Sequence, residues 1–203
     1  AGDPEQLRHA RQRYREMATL CGHDFDSGTV LVDKMPLNSA YLPLLASLFP
    51  DSRFIIALRH PCDSVLSAWM QNFTPNDAMA HFLSLESGAL LYDEIIRILG
   101  RATQLDGLAG RCHWVFYEDT VSDFRGSMES VLDFLDQPWD DRVLDHASHA
   151  RSRGTLTTPS YAAVGEAVNS RAVNRWHHYS DWMGHAPVLL RDARAAMGYD
   201  QEK

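Results

Sequence analysis

Short apolar runs alternate along this chain with stretches in which apolar residues recur every three or four positions. Glu5–Leu20 is charged and amphipathic, with Leu7, Tyr14 and Met17 on one side, and predicts a helix. Gly22 and Gly28 frame a turn, after which Val30–Val32 reads as a short buried strand. Asn38–Phe49 predicts a helix, with Ser39 near its start and Pro50 just past its end. The Phe-Ile-Ile-Ala-Leu run of Arg53–Leu58 predicts a second strand, apolar enough for a sheet covered on both faces. A helix follows over Asp63–Asn72 with Pro61 at its entrance. Asp77–Thr103 is a long helical stretch, interrupted or kinked near Gly88. His113–Tyr117 predicts a third strand, and Phe124–Leu135 an amphipathic helix with Met128, Val131, Leu132 and Leu135 in step. Gln137-Pro138-Trp139 turns into a helix at Asp140–His149. Arg151–Ser170 has weak periodicity and many small polar residues, which reads as a loop over a site, and Ala172–Met183 and Pro187–Met197 read as closing helices.

Strands alternating with helices predict an α/β fold, a parallel sheet with helices on both faces. At 203 residues the chain reads as a single domain over 1–203 with a core of ordinary size. Three strands are few for such a sheet, which usually has about four to six.

Composition narrows the partners. Hydrophobic residues make up 45% and charged residues 23%, as in soluble globular proteins. No run approaches the roughly 18 apolar residues a membrane span needs. A net charge of -8 argues against nucleic acid, so any anion site must be a local positive pocket in an acidic protein. Cys21, Cys62 and Cys112 are far apart and odd in number, which argues against a disulfide framework and for a reducing, cytoplasmic setting. His146 with His149, and His177 with His178, lack a matching acidic or thiol ligand set, so no metal is expected.

Four constellations could carry chemistry. Arg59 stands where a strand ends, His60-Pro61 turns the chain into a helix, and Ser67 lies on that helix. Ligands of open α/β sheets bind outside the carboxyl ends of strands, a guanidinium can grip a phosphate with two N–H groups, and the helix start adds backbone N–H groups. The alternative is a surface Arg59 paired with Asp63 and a serine that merely fits. Asp33-Lys34-Met35-Pro36 is the second: Pro36 holds Met35 extended, which would fix Lys34 at a strand tip, able to neutralise charge on a leaving group. A salt bridge to Asp33 or another carboxylate is its plain alternative. Tyr117-Glu118-Asp119 is the third, an aromatic that can lie on a nucleobase or pack on the sheet edge, followed by acids that can cap a helix. The tail is the fourth, with Ser160 on a loop and Arg175 opening an aromatic stretch whose Trp176, Tyr179 and Trp182 could equally be core.

Together these residues resemble the sulfotransferases that use 3′-phosphoadenosine 5′-phosphosulfate. The resemblance is strongest to bacterial domains linked to tetratricopeptide repeats, relatives of the tyrosylprotein sulfotransferases. It spans about Arg13 to Trp182 and rests on several segments. These are Asp33-Lys34-Met35-Pro36-Leu37-Asn38, Leu48-Phe49-Pro50-Asp51-Ser52-Arg53-Phe54-Ile55, and the RxPxDxxxS pattern from Arg59 through Ser67 followed by Gln71-Asn72-Phe73. Phe116-Tyr117-Glu118-Asp119, Leu132-Asp133-Phe134-Leu135 with Pro138-Trp139, and the tail from Thr158 to Trp176 complete it. The resemblance implies a P-loop-NTPase-like three-layer sandwich with a short central parallel sheet. It implies that Arg59 and Ser67 bind the donor's 3′-phosphate and that Tyr117 holds its adenosine end. Ser160 and Arg175 would approach the donor phosphates, and Lys34 would stabilise departure of the nucleotide. Transfer of a sulfuryl group to an acceptor hydroxyl or amine would need no metal, and the acceptor could be a small molecule, a carbohydrate or a protein tyrosine. A repeat domain could precede this one in the full-length protein.

One element of the family is missing. Nothing from Ala1 to Asp33 reads as the strand and glycine-rich basic loop that cradle the 5′-phosphosulfate, so the chain is expected to be a C-terminal portion of a longer protein. A non-catalytic remnant or nucleotide-binding module of the same fold is the alternative, decided by the sequence upstream of Ala1. A P-loop kinase would need GxxxxGK[ST], which the chain lacks.

Overall fold

The computed structural model describes residues 3–71, 73–74, 76–108, 110–145 and 168–200. They form an α/β structure with a short parallel two-stranded sheet. The chain divides into two compact units, Ala1–Phe54 with Ile98–Cys112, and Ile55–Arg97 with His113–Lys203.

In the first unit, helix α1 (Pro4–Leu20) starts where its sequence signals a start: the Asp3 carboxylate accepts the Glu5 N–H and Pro4 occupies the first turn. A 3-10 turn (Pro36–Tyr41) leads into α2 (Leu42–Leu48), whose Leu42 and Ala46 are buried. Tyr14 packs on Phe49 at 4.8 Å and donates to Asp33 at 2.9 Å. Burial and that carboxylate push the Tyr14 phenol up to about 12.

Val30–Val32 is not the expected strand. Val30 is 62% and Val32 77% exposed, and the segment is irregular. A strand is a paired state, and three β-branched or apolar residues do not form one without a neighbour to complete the ladder; none pairs with them among the described residues. Lys34 therefore does not sit at a strand tip.

The second unit holds most of the sheet. Strands β1 (Phe54–Leu58) and β2 (Cys112–Phe116) are hydrogen-bonded neighbours, and among the described residues the sheet has no third strand. β1 is covered on one face only, Ile56 and Leu58 being buried while Ile55 is 43% exposed. After β1 the chain turns at His60 into α3 (Pro61–Trp69). A 3-10 turn (Met79–Leu83) and helix α4 (Leu85–Ala102) follow, with the break at Ser84 and not at Gly88. Ser84 is extended, and its hydroxyl accepts the Ser87 N–H, so it caps α4. Gly88 serves close packing: a Cβ there would stand 3.3 Å from Phe82 and 3.4 Å from Val65.

Helices α5 (Tyr117–Ser122) and α6 (Phe124–Phe134) follow β2, and the predicted helix after Trp139 is a 3-10 turn (Asp141–Asp145) as far as it is described. The C-terminal part comprises a 3-10 helix (Arg175–Trp182), α7 (Ala186–Leu189) and α8 (Arg191–Ala196). The core of this unit brings α3 (Cys62, Val65, Leu66), α4 (Leu85, Ala89) and the tail (Met183, Ala186, Leu190) together. Trp176 and Tyr179 pack against it, whereas Trp182 is 76% exposed.

Candidate functional site

The turn from β1 into α3 builds the site. β1 ends at Leu58, so Arg59 leaves the sheet at its carboxyl end. Its carbonyl accepts the hydroxyls of Tyr92 at 3.2 Å and Ser64 at 3.3 Å, which fixes the backbone at this corner. Its side chain is only 19% exposed and lies over the Tyr117 ring, 5.2 Å from the centroid. One guanidinium nitrogen donates to the Ala172 carbonyl and stands 3.7 Å from Asp63. The Nε of Arg59 is buried with no partner among the described residues.

Tyr117 opens α5, because β2 stops at Phe116, one residue short of the strand end expected at Tyr117. Its phenol donates to the Asn169 carbonyl at 3.0 Å. The next residue, Glu118, accepts the His60 N–H at the start of α3 at 2.9 Å and the Tyr199 hydroxyl at 2.7 Å. A carboxylate thus takes up an N–H at this helix start, where the sequence suggested one open to a phosphate. Burial, with the Glu118 charge, holds the Tyr199 phenol far above its ordinary range.

His60 is itself buried, stacked on Trp176 at 5.5 Å and edge-on to Tyr199 at 5.1 Å. Desolvation, reinforced by Arg194, lowers its pKa from 6.5 to about 4, against the pull of Glu118. Its ring is therefore neutral at pH 7.

Asp63, Ser67 and Met70 lie at i, i+4 and i+7 along α3 and its last turn, so they share one face over about 10 Å. Asp63 is at the Arg59 end. At the other end the Arg175 guanidinium donates to the Met70 sulfur at 3.4 Å and lies 5.6 Å from the Tyr179 ring centroid. Ser67 stands between them, half-buried. The segment Asn169–Trp176 closes this face through its backbone. The Asn169 and Ala172 carbonyls accept from Tyr117 and Arg59, and the Trp176 N–H donates to Asp63 at 2.8 Å.

Arg59, Tyr117, Ser67 and Arg175 are therefore gathered along one helix and one strand corner. Ser160 lies outside the described residues. Lys34 belongs to the first unit, where it is exposed, just before the extended Met35 and Pro36. The Asp33 carboxylate accepts from Tyr14. Among the described residues no group of three His, Cys, Asp or Glu side chains could hold a metal ion. The cysteines are free: Cys21 exposed, Cys62 buried, Cys112 half-buried.

Sequence reasoning named Asp63 as a possible partner for Arg59 and as the acid of the RxPxDxxxS pattern, without its contact to Trp176, and missed Tyr199 and Tyr92. Their partners are 113, 81 and 33 residues away in the chain, a separation no local pattern encodes. The one available signal was the acidic pair after Tyr117, read as a cap for the following helix; Glu118 instead holds the start of α3.

Comparison with known proteins shows the family. The model of the Sulfotransferase family matches residues 2–141. The chain is 30% identical over 185 residues to protein-tyrosine sulfotransferase 1 of Danio rerio, covering 84% of this chain and 48% of that protein. It is 26% identical over 217 residues to protein-tyrosine sulfotransferase 2 of Gallus gallus (98% and 54%). It is 23% identical over 188 residues to an uncharacterized protein of Aquifex aeolicus (92% and 23%). The chain spans between about a quarter and just over half the length of such curated relatives. By the family match over 2–141, this chain belongs to the sulfotransferase family.

Proposed function

We propose that the chain is part of a sulfotransferase that takes 3′-phosphoadenosine 5′-phosphosulfate as donor, with Arg59 and Ser67 on the 3′-phosphate and Tyr117 beside the adenosine. The observation that carries this reading is the corner itself. A nearly buried guanidinium at a strand's carboxyl end lies over Tyr117 and faces the helix surface that bears Ser67.

The residues fit such a donor. The Arg59 Nε is a buried donor without a partner among the described residues, and an acceptor oxygen would satisfy it. Arg175, at the far end of the same face, supplies a second cation. When bound, the donor supplies an activated sulfuryl group: its S–O bond to the nucleotide breaks as the acceptor oxygen bonds sulfur, and the acceptor's proton passes to a base. This chain's contribution is charge and position, which dominate related phosphoryl transfers. Arg59 would hold the donor's 3′-phosphate, with its partnerless Nε–H among the donors. Family likeness assigns stabilisation of the departing nucleotide to Lys34, and the closing-loop contact to Ser160.

The relatives' names support a protein tyrosine hydroxyl as acceptor. Calorimetry on the full-length protein tests the donor assignment. 3′,5′-adenosine bisphosphate should bind at least tenfold more tightly than AMP, and equal affinities reject the 3′-phosphate role.

A further inference from the structure

The 3-10 helix Arg175–Trp182 begins without a cap of its own. Its N-cap, Asn174, makes no side-chain capping bond and sits at φ 55, ψ 21, the left-handed region. That backbone is costly for a residue with a Cβ, although Asn tolerates it better than most. The N–H groups of a helix start also need acceptors. An acceptor comes from another helix. Asp63 of α3 accepts the Trp176 N–H at 2.8 Å. The Asp63 side chain is fully buried, and the oxygen that holds Trp176 is also the one 3.7 Å from Arg59.

We propose that Asp63 is a positioning residue that caps the Arg175 turn from a neighbouring helix, so that two guanidinium groups bracket Ser67. The inference rests on the 3′-phosphate reading of that face. A buried carboxylate is costly unless it is hydrogen-bonded and paired; here Oδ1 takes the Trp176 N–H and faces Arg59, while Oδ2 has no hydrogen-bond partner among the described residues. Desolvation, with Glu118 adding to it, raises the Asp63 carboxyl pKa, while the Trp176 N–H, Arg59 and the Asn174 N–H pull it down. Its capping geometry needs an acceptor oxygen at that position and not a charge. Asp63→Asn should therefore preserve what Asp63→Ala destroys.

Two readings on the full-length protein test this. In hydrogen exchange of the ligand-free protein, the Trp176 amide should be among the slowly exchanging amides. It should lose at least tenfold in protection in Asp63→Ala and keep it in Asp63→Asn. In calorimetry, the preference for 3′,5′-adenosine bisphosphate over AMP should fall at least tenfold in Asp63→Ala and stay within about threefold of the parent in Asp63→Asn, where 1.4 kcal/mol corresponds to tenfold. A fast-exchanging Trp176 amide in the unaltered protein overturns the proposal and needs no variant to fold. An unchanged preference in Asp63→Ala, or identical behaviour of the two variants, overturns it as well. If the unaltered protein shows no preference for the 3′-phosphate, the functional reading fails, whereas exchange at Trp176 still judges the cap.

Discussion

Lowering the pH through the range of an ordinary histidine should weaken the fold through His60. The ring is buried between Trp176 and Tyr199, its Nδ1 has no partner among the described residues, and Arg194, His177 and Arg59 add positive charge around it. Glu118 is the opposing charge, but it does not outweigh desolvation, and the pKa falls from 6.5 to about 4. The unfolded chain therefore binds this proton more tightly than the native one. Stability from His60 is complete above about pH 6.5 and is lost as pH falls toward about 4. Between pH 7.5 and 4.5 the difference in binding integrates to about 1.8 pH units, or about 2.5 kcal/mol at 1.36 kcal/mol per unit. With a urea slope of about 2 kcal/mol/M, the midpoint should drop by about 1.2 M. Asp63 has the opposite sign: its raised pKa contributes stability that is present at low pH and lost as pH rises through the raised value. Total stability thus mixes both, and His60→Phe separates them by keeping an aromatic ring against Trp176 without a titrating group. Urea melts of both proteins at the two pH values should show the parent losing about 2.5 kcal/mol more than the variant. Equal losses would show that His60 is hydrated or paired in solution, and the reasoning would be wrong.

Tyr199→Phe removes one hydroxyl from the Glu118 carboxylate and should cost about 1.5–3 kcal/mol by urea melting; no loss would mean that the C-terminal turn does not hold Glu118. The raised phenol pKa values of Tyr14, Tyr92 and Tyr199 make native stability fall above about pH 10, where the unfolded phenols release protons first; Tyr199→Phe should flatten that decline, and an unchanged slope contradicts it. A thiol reagent at pH 8 should label exposed Cys21 within minutes and reach Cys62, whose pKa burial pushes up to about 11, only on unfolding. Leu66→Ala in the α3 core should cost about 2–5 kcal/mol, and a smaller loss would show that this core collapses around the gap.

The sequence was most legible where one local pattern decides the outcome. The apolar run before Arg59 can hardly avoid a strand, and Pro61 marks the entrance to α3, which begins there, two residues before the expected Asp63. The amphipathic repeat of Phe124–Leu135 likewise matches α6 within a residue. It was least legible where a partner decides. Val30–Val32 has strand propensity and no ladder. Gly88 looked like a break but provides room for Val65 and Phe82, while the break lies at the capping Ser84. Arg59 and Tyr117 could be named from the chain because strand ends deliver them. That Asp63 would cap a turn 113 residues away could not, because its carboxylate carries no mark of the N–H it will accept.

The central claim is that Arg59 grips a phosphate on the ribose of a nucleotide, and Arg59→Lys tests it most directly. Lysine keeps the charge but loses the planar pair of donors. Titrations with 3′,5′-adenosine bisphosphate and with AMP should show the first affinity reduced at least tenfold and the second within about twofold of the parent, a selective loss of about 1.4 kcal/mol or more. If both affinities fall together, or neither changes, Arg59 holds the fold or the nucleotide at large, and the account is contradicted.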